Sequence, residues 1–528
     1  MRRFHSYGPI NDKLHYYAPR KKLIDRAYTQ LMGENPSEGG HYITVWAPRQ
    51  TGKTWVMQQI LFQLQKDPRF DVLKINLEHL KEEEDVSQVI MSIANTMGDR
   101  LVKDFKGTDT REKFQEIFRK EKLDKPLILI LDEFDALEEN SINTIVSAFR
   151  NIYTNRMDEK SKTTEQKTYL LHAAALIGVR SVLGIENQKG SPFNVQRSVH
   201  IPNLTFAEVE EMFKWYEKES GQKVEQPVVR ELYEETSGQP GLTCWFGELL
   251  TETYNHDIKK PITMYNFEEA YGAATHILPN NNILNIISKV KKAPYDEKII
   301  EIFKTDDKID FKFNDKDINY LYMNGVIDEE KAGHDQYYVR FSNPFVQKCL
   351  FDYFSTQIFD YLGQLIHPLD AMKDAINEEI LHIPNIIKRY QAYLTKNKEI
   401  FFKNVPRRKD DLRIYEAIYH FNLYRYLYDL LRVRGVDVVP QFPTGNGKID
   451  LILKYREKIY ALELKSFKDM YRFEKSIDQA GEYGRQMGLK EIFLLEFVEL
   501  SEQDAKQLEQ EVDKSGIKVI VLPIGILG

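Results

Sequence analysis

A strand-like heptapeptide, HYITVWA (41–47), runs directly into the loop APRQTGKT (47–54) and then into a helical stretch from about Thr54 to Gln65. Strand, tight loop and helix N-terminus in that order make a concave anion site, because free backbone N–H groups and the helix dipole point at one place. The spacing fits G-x-x-x-x-G-K-[ST], with the small Ala47 in place of the first glycine. In that pattern Gly52 lets the backbone approach phosphate closely, and Lys53 reaches the β- and γ-phosphates. The Thr54 hydroxyl binds Mg²⁺, and Gln50 and Thr51 complete the cradle. Such a loop belongs to a parallel, helix-covered sheet, and further strand-like runs alternate with helical patterns: FDVLKINL (70–77), PLILILDEF (126–134) and YLLHAAALIGV (169–179). PLILILDEF is continuously apolar, as a strand buried on both faces must be. It ends in acids that suit a metal–nucleotide site, with Asp132 placed to hold Mg²⁺ and Glu133 to polarise the attacking water. Asp135 either supports them or caps the next helix. No N-K-x-D sequence suited to guanine occurs, so ATP is the expected nucleotide.

Downstream the pattern changes. TFAEVEEMFKWYEKES opens a helical region with a capping box, Thr205 and Glu208. A helix ending at Asn324-Gly325, followed by two short strand patterns, predicts a small winged helix. TNRMDEKSKTTEQKT (154–168) is polar and is expected to be a mobile loop. Together, FHSYGPINDKLHYYAPRKKLIDRAYTQL, HYITVWAPRQTGKTW, LILILDEFD, SPFNVQRSVHIPNLTFAEV and SGQPGLTCWF resemble the AAA-like ATPases of the STAND and archaeal-ATPase group, over about residues 4–350. The resemblance implies that Tyr17–Arg20 lie near the nucleotide, that Pro240 packs against the adenine, and that Arg180 senses the γ-phosphate. Arg180 reads equally well as a surface arginine after a strand. An arginine finger acting between subunits could be Arg150, Arg156 or Arg197, and the sequence does not choose among them. The winged helix serves either as a DNA-binding element or as an internal lever.

A second chemical centre lies near the end. In YALELK (460–465), a strand puts Tyr460, Leu462 and Leu464 on one face and Ala461, Glu463 and Lys465 on the other. Alone, that is the pattern of a strand with one wet face. The preceding strand in GNGKIDLILKY (445–455) starts with Asp450, and a tight REK turn makes the two a hairpin, so Asp450 and Glu463 can converge. Two carboxylates and a lysine on one edge can hold a divalent metal beside a phosphate and orient a water. Gln479 and Tyr483, one turn apart on the next helix, share a face. Asp450, then E-x-K at Glu463–Lys465, then Q-x-x-x-Y resembles the PD-(D/E)XK nuclease superfamily over about residues 405–528. The resemblance implies that Asp450 and Glu463 are metal ligands, with the Leu464 carbonyl a third. Lys465 handles the water, Glu416 is an additional acid, and Gln479 and Tyr483 orient substrate or the metal shell. Glu416 also fits an exposed helical glutamate, and the tyrosines of AIYHFNLYRYLYDLL (417–431) fit core and rim better than base stacking.

The expected fold class is therefore α/β and multidomain. It comprises a P-loop NTPase parallel sheet (1–204), a helical lid (205–292), a winged helix (293–350), a helical connector (351–404) and an α/β restriction-endonuclease-like domain (405–528). A chain of 528 residues accommodates roughly three to four domains. Two cysteines exclude a disulfide scaffold, and a net charge of −7 excludes a uniformly basic nucleic-acid coat while leaving local runs such as PRKKLIDR, KVKK and PRRK. MRRFHSYGPI lacks the apolar run of a signal peptide, and no apolar run approaches the ~20 residues that span a bilayer. A cytoplasmic, membrane-free protein is the expectation. The implied cofactors are ATP and Mg²⁺, with Mn²⁺ able to serve at the nuclease site. The implied partners are nucleic acid, DNA favoured, a homo-oligomer, and an unidentified activating signal or protein. The first functional expectation is an ATP-gated, metal-dependent nuclease, and STAND-type architecture implies a defence effector. Two alternatives stand beside it: a nucleotide-switched scaffold with an inactive nuclease-like domain, and a DNA-processing motor.

Overall fold

The computed structural model describes residues 1–48, 50–178, 197–255, 257–303, 309–366, 370, 372–403, 405–407, 413–440 and 450–526. The chain divides into two compact units, one of Met1–Ile286 with Lys312–Asp328, the other of Ile287–Phe311 with Glu329–Gly528.

In the first unit, β1 (Tyr42–Trp46), β2 (Asp71–Asn76), β3 (Leu127–Asp132), β4 (Leu171–Gly178) and β5 (Arg197–His200) form one sheet in the order β2-β3-β4-β1-β5. Every pairing is parallel. The period-2 alternation of β3 sorts its side chains between two cores. Leu127, Leu129 and Leu131 pack on one face with Ile90, Ile93, Phe149 and Ile152, from the helices Val86–Leu101 and Glu139–Asp158. Ile128 and Ile130 pack on the other with Ile24, Leu31, Val56 and Ile60, from the helices Lys21–Met32 and Lys53–Leu64. Helices on both faces explain why no strand in the middle of this sheet shows a polar face. Because β4 lies between β1 and β3, its C-terminal end sits between the phosphate loop and the acidic strand end. The lid helix Phe206–Ser220 starts in the capping box read from the sequence, with Thr205 and Glu208 each accepting the other's backbone N–H.

The expectation of a mobile loop at 154–168 is corrected. The helix runs on to Asp158, and the rest is pinned from inside. Arg156 is buried and donates to Tyr169 O and Thr164 Oγ1. Lys167 Nζ donates to Arg156 O at 2.8 Å, and Glu159 accepts from the Thr168 N–H. Buried cations of this kind persist only with such partners.

The chain continues through the helix Lys316–Met323 and the short strands β6 (Ile327–Lys331) and β7 (Tyr337–Phe341). The helix Pro344–Ile358 runs across residue 350, and Ile383–Phe401 is a second helix before the last domain. In the second unit, β8 (Asp437–Pro440), β9 (Leu451–Tyr455), β10 (Lys458–Ser466), β11 (Glu491–Val498), β12 (Gln510–Lys514) and β13 (Ile517–Gly525) form a mixed sheet ordered β12-β13-β11-β10-β9-β8. β10, β11 and β13 are mutually parallel, and the other three are antiparallel to their neighbours. The helix Met470–Gln486 covers one face through Phe473, Ile477 and Ala480, which meet Ala461 and Leu494. On the reverse face Tyr419, of the helix Glu416–Leu431, stacks on Phe497 with ring centroids 4.6 Å apart. Tyr419, Tyr424 and Tyr426 are buried, as core residues should be. β8 and β12 are short strands that close the two edges of this sheet.

Candidate functional site

β1 ends at Trp46, and the helix Lys53–Leu64 starts seven residues later, after Gly52. Gly52 has φ +87°, a conformation that strains any residue with a Cβ, and a Cβ there would meet nothing within 4 Å. The glycine is thus needed for its dihedral, not for room. Lys53 is buried, and its Nζ donates to Ala47 O at 2.7 Å and Pro48 O at 2.8 Å. Thr51 Oγ1 donates to Pro48 O at 2.8 Å, while Thr54 is exposed at the helix start. The lid reaches this loop. The Gly241 N–H donates to Gln50 O at 2.9 Å, and a Cβ on Gly241 would come within 2.4 Å of Gln50 Oε1. Half-buried Pro240 begins the same short helix, so the Gln-Pro-Gly segment and the phosphate loop are brought together. Tyr17 lies between Trp55 and the lid's Trp215, with centroid distances of 4.7 and 5.5 Å. Tyr322 meets Trp46 edge-on at 5.9 Å, which sets the helix Lys316–Met323 against the residue that ends β1.

Arg20, which the resemblance places near the nucleotide, is engaged by protein groups. Its guanidinium donates to Pro202 O and Asn203 O at 2.7 and 3.0 Å and lies 3.5 Å from Glu208. It clamps the N-terminal segment onto the entry to the lid, and burial lowers its pKa. Arg156 is a correction among the arginine-finger candidates, because its burial keeps it from reaching another subunit. Arg150 is exposed, whereas Arg180 and the side chain of Arg197 lie outside the described residues.

At the end of β3, Asp132 is buried and Glu133 holds a left-handed backbone conformation, φ +54°. A strained residue at a strand end is typical of sites where the fold over-determines geometry for chemistry. The sequence reading missed Lys74, whose Nζ lies 2.7 Å from Asp132 Oδ2. The strand alternation of DVLKIN was available as a signal, but nothing in it says which strand lies alongside.

Residues 37–164 match the family model of the AAA domain. The chain carries an AAA-type P-loop ATPase domain. ATP with Mg²⁺ is the ligand set of such a domain, and the residues of this AAA domain fit it: a loop of backbone N–H groups, Lys53, the exposed Thr54 hydroxyl and the Asp132 carboxylate. Among solved structures, the chain is similar to a Walker-type ATPase of Pyrococcus abyssi, at 14% identity and TM-score 0.44, covering 66% of this chain and 99% of that one. It is similar to the Aeropyrum pernix ORC1 protein in complex with DNA, at 14% identity and TM-score 0.34, covering 65% and 94%. It is also similar to Thermotoga maritima RuvB, at 14% identity and TM-score 0.32, covering 61% and 90%. No curated protein matches the chain.

The second unit gathers the other expected residues. Leu462 pairs with Leu451 and Tyr460 with Leu453, so the next step of the register sets Asp450 opposite Glu463. Asp450 Oδ2 accepts the Leu464 N–H at 2.7 Å, and Lys465 Nζ lies 3.0 Å from Glu463 Oε1. Glu416 Oε2 accepts the Ser466 N–H at 2.8 Å, so it is not a free surface glutamate. Gln479 donates to the Tyr483 hydroxyl. Burial raises the Tyr483 pKa, opposed by the hydrogen bond from Gln479, and the charges of Glu463, Lys465 and Asp450 act on it as well.

The face carrying Glu463 and Lys465 is not wet: Asp450, Glu463 and Lys465 are 3%, 1% and 3% exposed. Burial pushes the Glu463 carboxyl well above its ordinary range, with Lys465 opposing and Asp450 and Glu416 adding to the rise. Its Oε2 meets no hydrogen-bond partner among the described residues. A buried carboxylate oxygen of this kind calls for a cation. Among the described residues no group of three or more His, Cys, Asp or Glu side chains forms a ready cage, so a metal here depends on two carboxylates, a backbone carbonyl and water. Mg²⁺ tolerates such a set, because it keeps several waters. Two neighbours escaped the sequence reading. His420 Nε2 lies 3.2 Å from Asp450 O, and buried Glu496 pairs with Lys465 in the parallel register. Glu496 had a visible signal, as an acid inside the apolar run of EIFLLEF. Among the described residues no helix is long and apolar enough to cross a membrane.

Proposed function

We propose that the chain is an ATP-gated, metal-dependent nuclease in which the AAA domain governs phosphodiester hydrolysis by the C-terminal domain. The observation that carries this reading is Glu463, a buried carboxylate with one oxygen that meets no partner among the described residues, beside Lys465 and opposite Asp450. A purely structural site would gain stability by replacing the buried Glu463–Lys465 pair as a whole with apolar side chains, because desolvating two charges is costly. Asp450, Glu463 and the Leu464 carbonyl would hold Mg²⁺ or Mn²⁺, and the metal would supply a Lewis acid and a bound water. The chain's own part is orientation. Asp450 is fixed by the Leu464 N–H, and Glu463 by Lys465. The Lys465 ammonium holds the attacking water and stabilises charge developing on the phosphate oxygens. Gln479 and Tyr483 set one wall, and Glu416 ties the end of β10 to the helix behind it. DNA is the favoured substrate, and assembly into a homo-oligomer is part of the same proposal.

Purified full-length protein, incubated with labelled DNA and RNA with and without ATP and Mg²⁺, tests the reading. Lys465→Ala and Asp450→Ala each lower cleavage by about a hundredfold or more, the scale of losing one main electrostatic contributor. Cleavage that survives both substitutions removes this site from the chemistry.

A further inference from the structure

The end of β3 holds a cation that a phosphate-loop site does not require. The Asp132 side chain is 5% exposed and that of Lys74 20%, and their charged atoms are 2.7 Å apart. The sheet sets this contact. β2 and β3 run parallel with Lys74 opposite Ile130 and Asn76 opposite Asp132. Lys74 and Asp132 therefore share the face on which Ile128 and Ile130 meet the helix that follows the phosphate loop. The lysine stem spans the two-residue stagger, and its ammonium ends on Oδ2, while Oδ1 accepts the Glu133 N–H at 3.2 Å. Lys53 donates to Ala47 O and Pro48 O, and Lys74 brings an ammonium onto Asp132.

We propose that Lys74 is an internal counter-cation that competes with Mg²⁺ for Asp132, so that it sets the Mg²⁺ concentration at which the AAA domain binds ATP. The inference rests on Asp132 as the carboxylate that faces Mg²⁺. Two cations within about 3 Å of one buried carboxylate repel strongly, because water screens them poorly there. Mg²⁺ must therefore displace the ammonium or leave Asp132 to it, and the divalent ion prevails only above a threshold concentration. Without Lys74 the carboxylate is buried and unpaired, which increases its affinity for any cation that can enter.

The test is a Mg²⁺ titration of the full chain with a fluorescent ATP analogue, reading half-saturation of nucleotide binding. Lys74→Met and Lys74→Gln reach half-saturation at Mg²⁺ concentrations lower by about fivefold, the factor that roughly 1 kcal/mol represents. Lys74→Arg keeps the cation and stays with the wild type. An unchanged or higher Mg²⁺ requirement in the neutral variants overturns the proposal, and where Lys74→Met fails to fold, the shift in Lys74→Gln decides between the two outcomes. Asp132→Asn separates the two assignments. If it raises the Mg²⁺ requirement while the neutral Lys74 variants shift nothing, only the role of Lys74 falls. If it too shifts nothing, Asp132 is not the metal-facing carboxylate and both fall.

Discussion

His172 shows how one residue couples the AAA domain to pH. Its ring is buried on β4, with Nε2 3.1 Å from Met32 O and Nδ1 3.0 Å from Thr164 Oγ1. The carbonyl can only accept, so Nε2 carries the proton and Nδ1 accepts from the Thr164 hydroxyl. Burial, reinforced by Arg156, pushes this imidazole down to about 3. The folded chain keeps His172 neutral, whereas the unfolded chain takes up a proton below about pH 6.5. The stability linked to this group is therefore complete above about pH 6.5 and is lost on acidification at up to about 1.4 kcal/mol per pH unit until about pH 3. Urea unfolding from about pH 7 to about pH 4 measures that slope, and His172→Gln flattens it. Nothing near His172 in the sequence announces this. Thr164 and Arg156 lie in the stretch whose polarity suggested a loop, and their burial depends on the helix Lys21–Met32 closing over β4.

At the scale of elements, the helix Met470–Gln486 carries Gln479 and Tyr483 and is anchored at both levels, by a cap and by a core face. Asp469 accepts the Arg472 N–H at 2.8 Å at its start. Asp469→Ala lowers the stability of the second unit by about 1 kcal/mol, read as a shift in the urea midpoint. The proposed cleavage is retained at low urea, because Phe473, Ile477 and Ala480 hold the helix against the sheet. That helix, the β9–β10 hairpin and the alternation of YALELK could all be read locally, since period and turn chemistry act over a few residues. β8 and β12 could not. QEVDK and DVVP are short, and β12 lies at the edge of its sheet with Val512 as its one apolar residue, so little apolar pattern marks it. Its strand form comes from antiparallel pairing with β13.

For the whole molecule, the decisive question is whether the AAA domain and the proposed nuclease site, which lie in two compact units, work as one. Lys53→Ala removes a charged donor to the phosphates, worth about 1.5–3 kcal/mol, and weakens ATP binding by roughly tenfold to a hundredfold. In the gated nuclease it also removes the response of cleavage to ATP, whereas Lys465→Ala leaves ATP binding intact. Paired nucleotide-binding and cleavage assays on both variants check this. Cleavage by Lys53→Ala that matches the wild type with and without ATP separates the units functionally.

The phosphate loop, the buried acidic strand and the hairpin with Asp450, Glu463 and Lys465 were determined by the sequence alone. Each depends on spacing, alternation or a backbone dihedral within a short stretch. Only the tertiary structure decided that the Glu463–Lys465 face is dry, that Lys74 meets Asp132, that Arg20 clamps the lid entry and that Arg156 is buried. Those facts depend on which distant strands and helices lie alongside. Burial and charge pairing are set by neighbours far along the chain, so no local pattern carries them.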